Sequence, residues 1–140
     1  MALSAGIDIV AGEKIFENSD IVGSGAVIYK GAALNYNSSG YLVAATNSDS
    51  DNGFAGWADA AYDNSDNSTS TGPLLAHYIP FVLEMKKTYS AGDNGKNAYI
   101  SADDTATTTA GNGIYIGRFC GQGTKGSAYT KINPLLPAIA

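Results

Sequence analysis

The sequence predicts an all-β fold, a small antiparallel barrel or sandwich-like domain. Short runs of β-branched, aromatic and other apolar residues alternate with clusters of Gly, Asn, Ser and Asp, and no window sustains an apolar stripe at helical spacing. The chain has 140 residues, of which 44% are hydrophobic, and this length is typical of one domain. We therefore expect a single β-rich domain over residues 1–140, with extended arms at 1–12 and 133–140.

Eight segments have the composition of strands: 14–17, 26–29, 40–45, 54–62, 74–87, 97–101, 114–119 and 127–132. Within the fifth, the alternation predicts that Phe81, Leu83 and Met85 share one face of a half-buried strand, while Glu84 and Lys86 lie on the other. Pro80 cannot donate a hydrogen bond to a ladder. We therefore expect an edge, a bulge or a change of sheet at residues 79–81.

Two polar segments, 47–53 and 63–72, lack large apolar residues and predict exposed, mobile loops. Their carboxylate and amide oxygens are also ligands that calcium prefers. With Gly53 at the glycine position of a calcium loop, the first three ligands would be Ser48, Ser50 and Asn52, which is a poor match. The solvated loop is therefore the preferred interpretation, and we expect no metal site and no cofactor.

The two halves of the chain show a weak internal sequence similarity, called the echo below. Segments 31–34, 40–43 and 54–57 of the first half are echoed by 95–100, 105–109 and 114–118 of the second. Each half has a glycine turn, a strand, small residues and then an apolar strand with Gly before a large side chain, Gly56-Trp57 and Gly117-Arg118. The spacings differ by a few residues, so the echo fits both duplication and chance similarity of short strands.

The chain has few groups that catalysis uses, with one His, one Cys, one Arg and three Glu. His77 and Cys120 are the only residues that could form a thiolate and base pair, but a lone His in an apolar strand is more often packed or hydrogen-bonded. A carboxylate pair would need Glu84 and an Asp such as Asp59, yet Glu84 is better explained as the solvent-facing residue of its strand. We expect no enzyme activity and, with a single cysteine, no intramolecular disulfide.

Charge and hydropathy limit the partners. The net charge is −5, the only arginine is Arg118 and the lysines are scattered, which disfavours direct nucleic-acid binding. The glycines of segment 121–126 accompany a lysine, but the segment is too short for a P-loop and precedes a strand, so it predicts a hairpin turn. No apolar run is long enough to span a bilayer and no secretory signal is recognisable, so we expect a chain that folds in a cytoplasm, without a membrane partner.

The order of turns and strands in the second half resembles a known family. It runs through strand 81–84 (FVLE), turn 90–93 (SAGD), strand 98–101 (AYIS), a Thr-rich stretch and segment 111–117 (GNGIYIG). This order is similar to that of the small capsid-stabilising (decoration or cement) proteins of tailed phages that carry a DUF2190-like domain. Segments 12–13, 25–29 and 40–46 resemble the opening strands of that family more loosely. Segment 63–72 is longer than in the family pattern, and residues 118–120 replace small apolar residues.

The resemblance implies a non-enzymatic protein of the virion that is made in the host cytoplasm, binds the outer surface of an icosahedral capsid and helps to hold the shell together. The implied partners are the major capsid protein and further copies of the chain. The apolar chain ends are the expected interface because arms can reach beyond a domain: Ile7, Ile9, Val10, Pro134, Leu135, Leu136 and Ile139. The C-terminal end carries two prolines and is expected to be an extended arm, packed on its own domain or reaching a neighbour.

The aromatic residues favour one alternative function. Nine tyrosines and Trp57 are many for a domain of this size, and such residues suit strand packing as well as contact surfaces. The alternative is therefore a module that binds a carbohydrate or a host surface, with Tyr and Trp as stacking platforms.

Overall fold

The chain folds into two five-stranded β structures and a short ribbon. A computed structural model describes residues 14–48, 50–111 and 113–139. The first part contains β1 (Lys14–Ile21), β2 (Val27–Ile28), β3 (Ala33–Tyr36), β4 (Leu42–Ala44), β5 (Gly53–Ala58), β6 (Tyr62–Asp63) and β7 (Leu74–Pro80). The second contains β8 (Leu83–Lys86), a 3-10 turn (Ala91–Asp93), β9 (Asn97–Ala102), β10 (Thr105–Thr107), β11 (Tyr115–Gly123) and β12 (Gly126–Asn133). The all-β prediction is confirmed, and none of the described residues forms a helix long and apolar enough to cross a membrane.

Both five-stranded structures have the same strand order. The first is a sheet ordered β1-β7-β5-β3-β4, and the second is a closed barrel that runs β8-β12-β11-β9 and returns through β10 to β8. The barrel is closed by a parallel pair, Thr105 with Lys86, while its other neighbouring strands are antiparallel. In the first sheet, a parallel bridge between Val22 and Leu42 likewise joins the end of β1 to β4. The strands β1, β3, β4, β5 and β7 therefore correspond in chain order to β8–β12.

This correspondence places the sequence echo on a structural repeat. The three echoed segments of each half lead into equivalent strands, β3, β4 and β5 in the first half and β9, β10 and β11 in the second. The two glycines of the echo are also equivalent. Gly56 in β5 has φ +113 and Gly117 in β11 has φ +138, and each lies at a register shift against the neighbouring strand. The structure therefore favours duplication over chance similarity.

Trp57, in the first half of the chain, packs into the apolar core of the barrel formed by the second half. The barrel interior contains Leu83, Ile100, Phe119 and Ile132, and Trp57 from β5 packs into the same apolar cluster. A separate cluster, which includes Val22, Leu34, Leu42 and Leu75, fills the first sheet. Only 4% of Trp57 is exposed, so its ring joins the halves and is not a surface platform.

The long predicted strands are broken where the chain changes sheets. Segment 54–62 forms β5 and β6, and segment 74–87 forms β7 in the first sheet and β8 in the barrel. Of the three outcomes expected at residues 79–81, the structure therefore shows the change of sheet. Leu83 and Met85 are buried as predicted, but Phe81 follows β7 and is 45% exposed, so its assignment to the buried face was wrong. Strands β3 and β10 were not predicted. The residues of β3 are buried on both faces except the last, so they show no alternation, and β10 has only three residues.

Each polar loop is anchored by a buried asparagine, a contact that the composition of the loops does not predict. The Nδ2 of Asn35 donates to Asp51 Oδ2 at 3.0 Å in the first loop. The Nδ2 of Asn64 donates to the carbonyls of Gly23 and Ser70 at 2.9 and 3.0 Å, and its Oδ1 accepts from Asn67 at 2.9 Å. The loops have no apolar anchor, as their composition predicts. Hydrogen bonds from a buried polar side chain hold each loop in place instead.

We expect Asn64→Ala to lower the free energy of unfolding by about 2 to 3 kcal/mol. The substitution leaves two carbonyls and one amide without their partner at a fully buried position. Urea unfolding measures the loss, and Ser68→Ala, at an exposed position in the same loop, is the matched control with an expected change below about 0.5 kcal/mol. Equal effects of the two substitutions would show that the loop is not anchored through Asn64.

Candidate functional site

His77 is a buried structural residue that connects three strands. Its Nε2 lies 2.7 Å from Asp20 Oδ2 on β1, and its Nδ1 lies 2.8 Å from the carbonyl oxygen of Ala55 on β5. The Tyr36 hydroxyl of β3 donates to the same Asp20 oxygen at 2.7 Å. Each ring nitrogen therefore lies within hydrogen-bond distance of an oxygen atom on a different strand. The expectation of a hydrogen-bonded structural histidine is confirmed.

This cluster shifts the protonation of its acidic members. Burial alone would raise the pKa of Asp20, but hydrogen bonds from Tyr36 and His77 outweigh it and the pKa is lowered. Burial, and then the hydrogen bond to Asp20, raise the pKa of Tyr36 to about 12. The cluster is therefore stabilised with Asp20 ionised and Tyr36 neutral.

The structure does not bring the candidate catalytic residues together. His77 lies on β7 of the first sheet with both nitrogens engaged, whereas Cys120 lies on β11 of the barrel and is exposed. Desolvation of the thiol raises the pKa of Cys120 against a smaller opposite effect of Lys131, so the nucleophilic thiolate is disfavoured.

The carboxylates Glu84 and Asp59 also have separate roles. Glu84 lies on β8 and accepts hydrogen bonds from the Thr124 hydroxyl at 2.8 Å and the Lys125 amide at 3.0 Å. It thereby holds the tip of the β11–β12 hairpin, which confirms the hairpin predicted for segment 121–126. Asp59 instead lines a groove across β1 and β7. The described residues contain no group of three His, Cys, Asp or Glu side chains placed to hold a metal ion.

The C-terminal segment, residues 134–139, is an arm laid back on the barrel. The Asn97 side chain donates to the carbonyl of Ile139 at 2.8 Å and accepts from its amide at 3.0 Å. The Tyr115 hydroxyl donates to the carbonyl of Leu136, and Asn133 Oδ1 accepts from the Leu135 amide at 3.0 Å. Polar side chains of β9, β11 and β12 therefore fix the arm through its backbone.

The apolar side chains of this arm face outward. Leu135 is 61% exposed and Ile139 is 52% exposed, while Pro134 and Leu136 are half-buried. Of the two arrangements expected for the arm, the backbone follows the first, packing on its own barrel. Its side chains nevertheless remain free to contact another molecule.

The bulge at Gly117 determines which side chains of β11 lie beside the arm. Ile116 and Phe119 are buried, whereas Tyr115 and Arg118 are partly exposed on the outer face. In a regular strand, residues three apart lie on opposite faces, so the register shift between Tyr115 and Gly117 is needed to place both outward.

Arg118 has no acidic partner among the residues described. Its buried Nε lacks a hydrogen-bond partner there, and none of the described carboxylates forms an ion pair with it. The rings of Tyr99 and Tyr115 pack edge to face with centroids 6.0 Å apart, and burial is the main cause that raises the pKa of Tyr115. We call the surface formed by the arm with Asn97, Tyr99, Tyr115 and Arg118 the arm face.

A polar groove of about 350 Å³ lies on the opposite half of the molecule. Its lining includes Glu17 and Asn18 of β1, Asp59 after β5 and Tyr78 of β7. Lys14 Nζ lies 4.6 Å from the centroid of the Tyr78 ring and covers it. The groove therefore offers carboxylate and amide oxygens but no open aromatic face.

The predicted interface residues divide into two groups. Pro134, Leu135, Leu136 and Ile139 belong to the arm face, whereas Ile7, Ile9 and Val10 lie outside the described residues. The sequence did not predict that Asn97, Tyr99, Tyr115 and Arg118 belong to this surface. A glycine inside a predicted strand was the available signal, since such a glycine often marks a bulge that changes which side chains face outward.

Comparison of the chain with models of protein families, with curated proteins and with solved structures finds no match.

Proposed function

We propose that this chain is a virion structural protein that binds the outer surface of an icosahedral phage capsid, together with further copies of itself, and stabilises the shell. The resemblance of segments 81–84, 90–93, 98–101 and 111–117 to capsid-stabilising proteins motivates the proposal. The observation that carries it is the arm face, where a backbone fixed by hydrogen bonds displays the exposed side chains of Leu135 and Ile139.

The construction of the arm favours binding. A segment that is already held by Asn97 and Tyr115 loses little conformational freedom when its side chains are buried by a partner. Burial of the exposed parts of Leu135 and Ile139, about half of each residue, would contribute about 1 to 2 kcal/mol each before ordering costs. A free arm of the same sequence would first have to be ordered, at about 1 to 2 kcal/mol per residue of backbone.

The composition of the arm face is typical of an interface centre. Tyr and Arg are enriched among residues that dominate protein binding energies, and the arm face combines two tyrosines with an arginine that lacks an acidic partner among the described residues. A capsid surface that fits it would present an apolar pocket for the arm and a carboxylate for Arg118. Since a shell repeats its sites, weak single contacts then add through multivalency.

Co-sedimentation with assembled shells tests the proposal. The shells are built from the major capsid protein that the same genome encodes, and the free capsid subunits are run in parallel. We expect saturable binding to shells and little binding to free subunits, because the shell repeats its binding sites. Folded protein that stays in the supernatant at every shell concentration would contradict the proposal.

A double substitution in the arm, Leu135→Ser with Ile139→Ser, is expected to weaken shell binding by at least about tenfold. Both side chains are exposed, so the free energy of unfolding should change by less than about 0.5 kcal/mol. Deletion of the arm is a less specific test because it also removes the backbone partners of Asn97 and Tyr115. Leu74→Ser, at a position 65% exposed on β7, is the matched control and should leave shell binding unchanged. If the double variant binds shells as tightly as the natural chain, the arm is not the capsid contact.

The polar groove favours one second candidate, a module for carbohydrate or a host surface. Carboxylate and amide groups such as Asp59 and Asn18 are suited to sugar hydroxyls, although Trp57 and Tyr78 are buried and offer no stacking platform. A glycan array distinguishes the two functions. Saturable binding of the isolated protein to one glycan, lost in Asp59→Ala, would favour the second candidate.

A further inference from the structure

The two halves of the chain carry formal charges of opposite sign. Residues 1–82, which supply the first sheet, contain two cationic and nine acidic residues, a net charge of −7. Residues 83–140, which supply the barrel and the arm, contain six cationic and four acidic residues, a net charge of +2. The overall charge of −5 therefore conceals a cationic barrel joined to an acidic sheet. Such an asymmetry orients a molecule as it approaches a charged partner.

The four carboxylates of the barrel already have partners or are buried. Asp93 forms ion pairs with two lysines at 2.6 and 3.1 Å, and Asp104 pairs with a third lysine at 3.0 Å. Both Asp103 and Asp104 are buried. Glu84 accepts hydrogen bonds from the tip of the β11–β12 hairpin. Half of the six cations of the barrel are therefore neutralised within it.

The other three cations lie on the outer surface of the barrel. Arg118, Lys125 and Lys131 form no ion pair with any carboxylate that the structure describes. Phe119 and Ile132 pair in the β11–β12 ladder and are buried in the barrel interior. Because successive side chains of a strand point to opposite faces, the residues that precede these two, Arg118 and Lys131, project outward.

These three cations form a stripe along the outer face of the β11–β12 hairpin, which we call the cationic stripe. It begins in the arm face, at Arg118, and ends at the hairpin tip, where Lys125 is exposed and its Nζ lies 5.3 Å from the centroid of the Tyr129 ring. Lys131 lies opposite Glu84 in the β8–β12 ladder, so one carboxylate borders the stripe. Three cations beside one carboxylate leave this surface with an excess of positive charge.

We propose that the cationic stripe docks onto an acidic protein surface, with the acidic first sheet turned away from it. The inference rests on the proposed function, because Arg118 belongs to both the stripe and the arm face, and it names the charge of the shell surface around the arm. Carboxylates on that surface pair with the stripe and repel the sheet, which disfavours the reverse orientation. Salt screens exposed charges, so the contribution of the stripe falls as the ionic strength rises.

Co-sedimentation of the full chain with shells at low and high ionic strength tests the proposal. The variant K125Q/K131Q removes two charges of the stripe and leaves Arg118 and the arm unchanged. We expect it to bind about five- to tenfold more weakly than the natural chain at low salt. The difference should shrink to within about twofold at about 1 M salt, where the Debye length is about 3 Å. Circular dichroism checks that the variant is folded.

Lys30→Glu is the matched control. It changes the net charge by the same two units, at an exposed lysine of the acidic half, and should leave shell binding within about twofold of the natural chain. Equal weakening by the two variants would show that only the overall charge matters and would overturn the proposal.

The remaining outcomes separate this inference from the proposed function. If the natural chain binds shells with an affinity that neither salt nor K125Q/K131Q changes, the inference is overturned and the proposed function stands. If the natural chain binds no shells at any salt concentration, both are overturned. Binding of the natural chain to duplex DNA, lost in K125Q/K131Q, would assign the stripe to a phosphate backbone and would also overturn the inference.

Discussion

Gly117→Ala is expected to lower the free energy of unfolding by about 3 to 5 kcal/mol, or to prevent folding. A Cβ at this position would clash with the carbonyl oxygen of Asn133, and the residue has φ +138, which L residues rarely adopt. Backbone strain contributes about 1 to 3 kcal/mol and the clash about as much again. Such a loss is a large fraction of the stability of a typical domain, and urea unfolding followed by circular dichroism measures it.

Gly121→Ala is the matched control for this prediction. Gly121 lies on the same strand with a similar φ of +133, but a Cβ there would meet no atom within 4 Å. It therefore isolates backbone strain, and we expect a loss of about 1 to 3 kcal/mol. Gly56→Ala should behave like Gly117→Ala, because its Cβ would lie 2.5 Å from the carbonyl oxygen of Tyr78 on the equivalent strand. Equal losses at Gly117 and Gly121 would show that close strand approach is not the function of the repeated glycine.

The sequence predicts the fold class because alternation and turn residues are local signals. The missing amide hydrogen of Pro80 also predicts an interruption at residues 79–81, but only the structure shows that this interruption is a change of sheet and not an edge or a bulge alone. It does not predict that β1 and β8 are equivalent, because their correspondence rests on ladder partners that are distant in the chain. Strand β3 escaped detection because burial on both faces removes the alternation.

The candidate site is predictable only in part, because its contacts join residues that are distant in the sequence. The arm can be recognised from two prolines and four aliphatic residues, but its attachment to Asn97 spans 42 positions of sequence. The partners of His77 are equally remote, with Asp20 lying 57 positions away. A sequence pattern identifies a histidine in an apolar strand, whereas only the fold shows which acceptors face its two nitrogens.

Removal of His77 is the second substitution with a large expected effect. His77→Leu leaves the Ala55 carbonyl without its donor and removes one of the two 2.7 Å bonds to Asp20, in a site where the histidine side chain is fully buried. We expect the free energy of unfolding to fall by about 2 to 4 kcal/mol, less than for a fully buried ion pair because Asp20 is partly exposed. Asn18→Ala is the matched control. Asn18 pairs with His77 in the ladder, and its side-chain amide donates to Asp20 Oδ2 at 3.4 Å. Because this hydrogen bond is exposed, we expect the free energy of unfolding to change by less than about 0.5 kcal/mol.

The pH dependence of unfolding shows whether this loss comes from the cluster. The pKa of Asp20 is lowered in the folded chain, so its contribution is complete above about pH 3.8 and is lost as the pH falls through the lower folded value. The raised pKa of Tyr36 acts in the other direction. Its contribution is complete below pH 10 and is lost as the pH rises to about 12. In His77→Leu the acid-side dependence should become shallower, because Asp20 loses a donor that favours its ionised form, while the alkaline dependence remains. An acid-side slope equal to that of the natural chain would mean that the loss in His77→Leu comes from packing alone, and that the bond from His77 to Asp20 does not stabilise the attachment of β1.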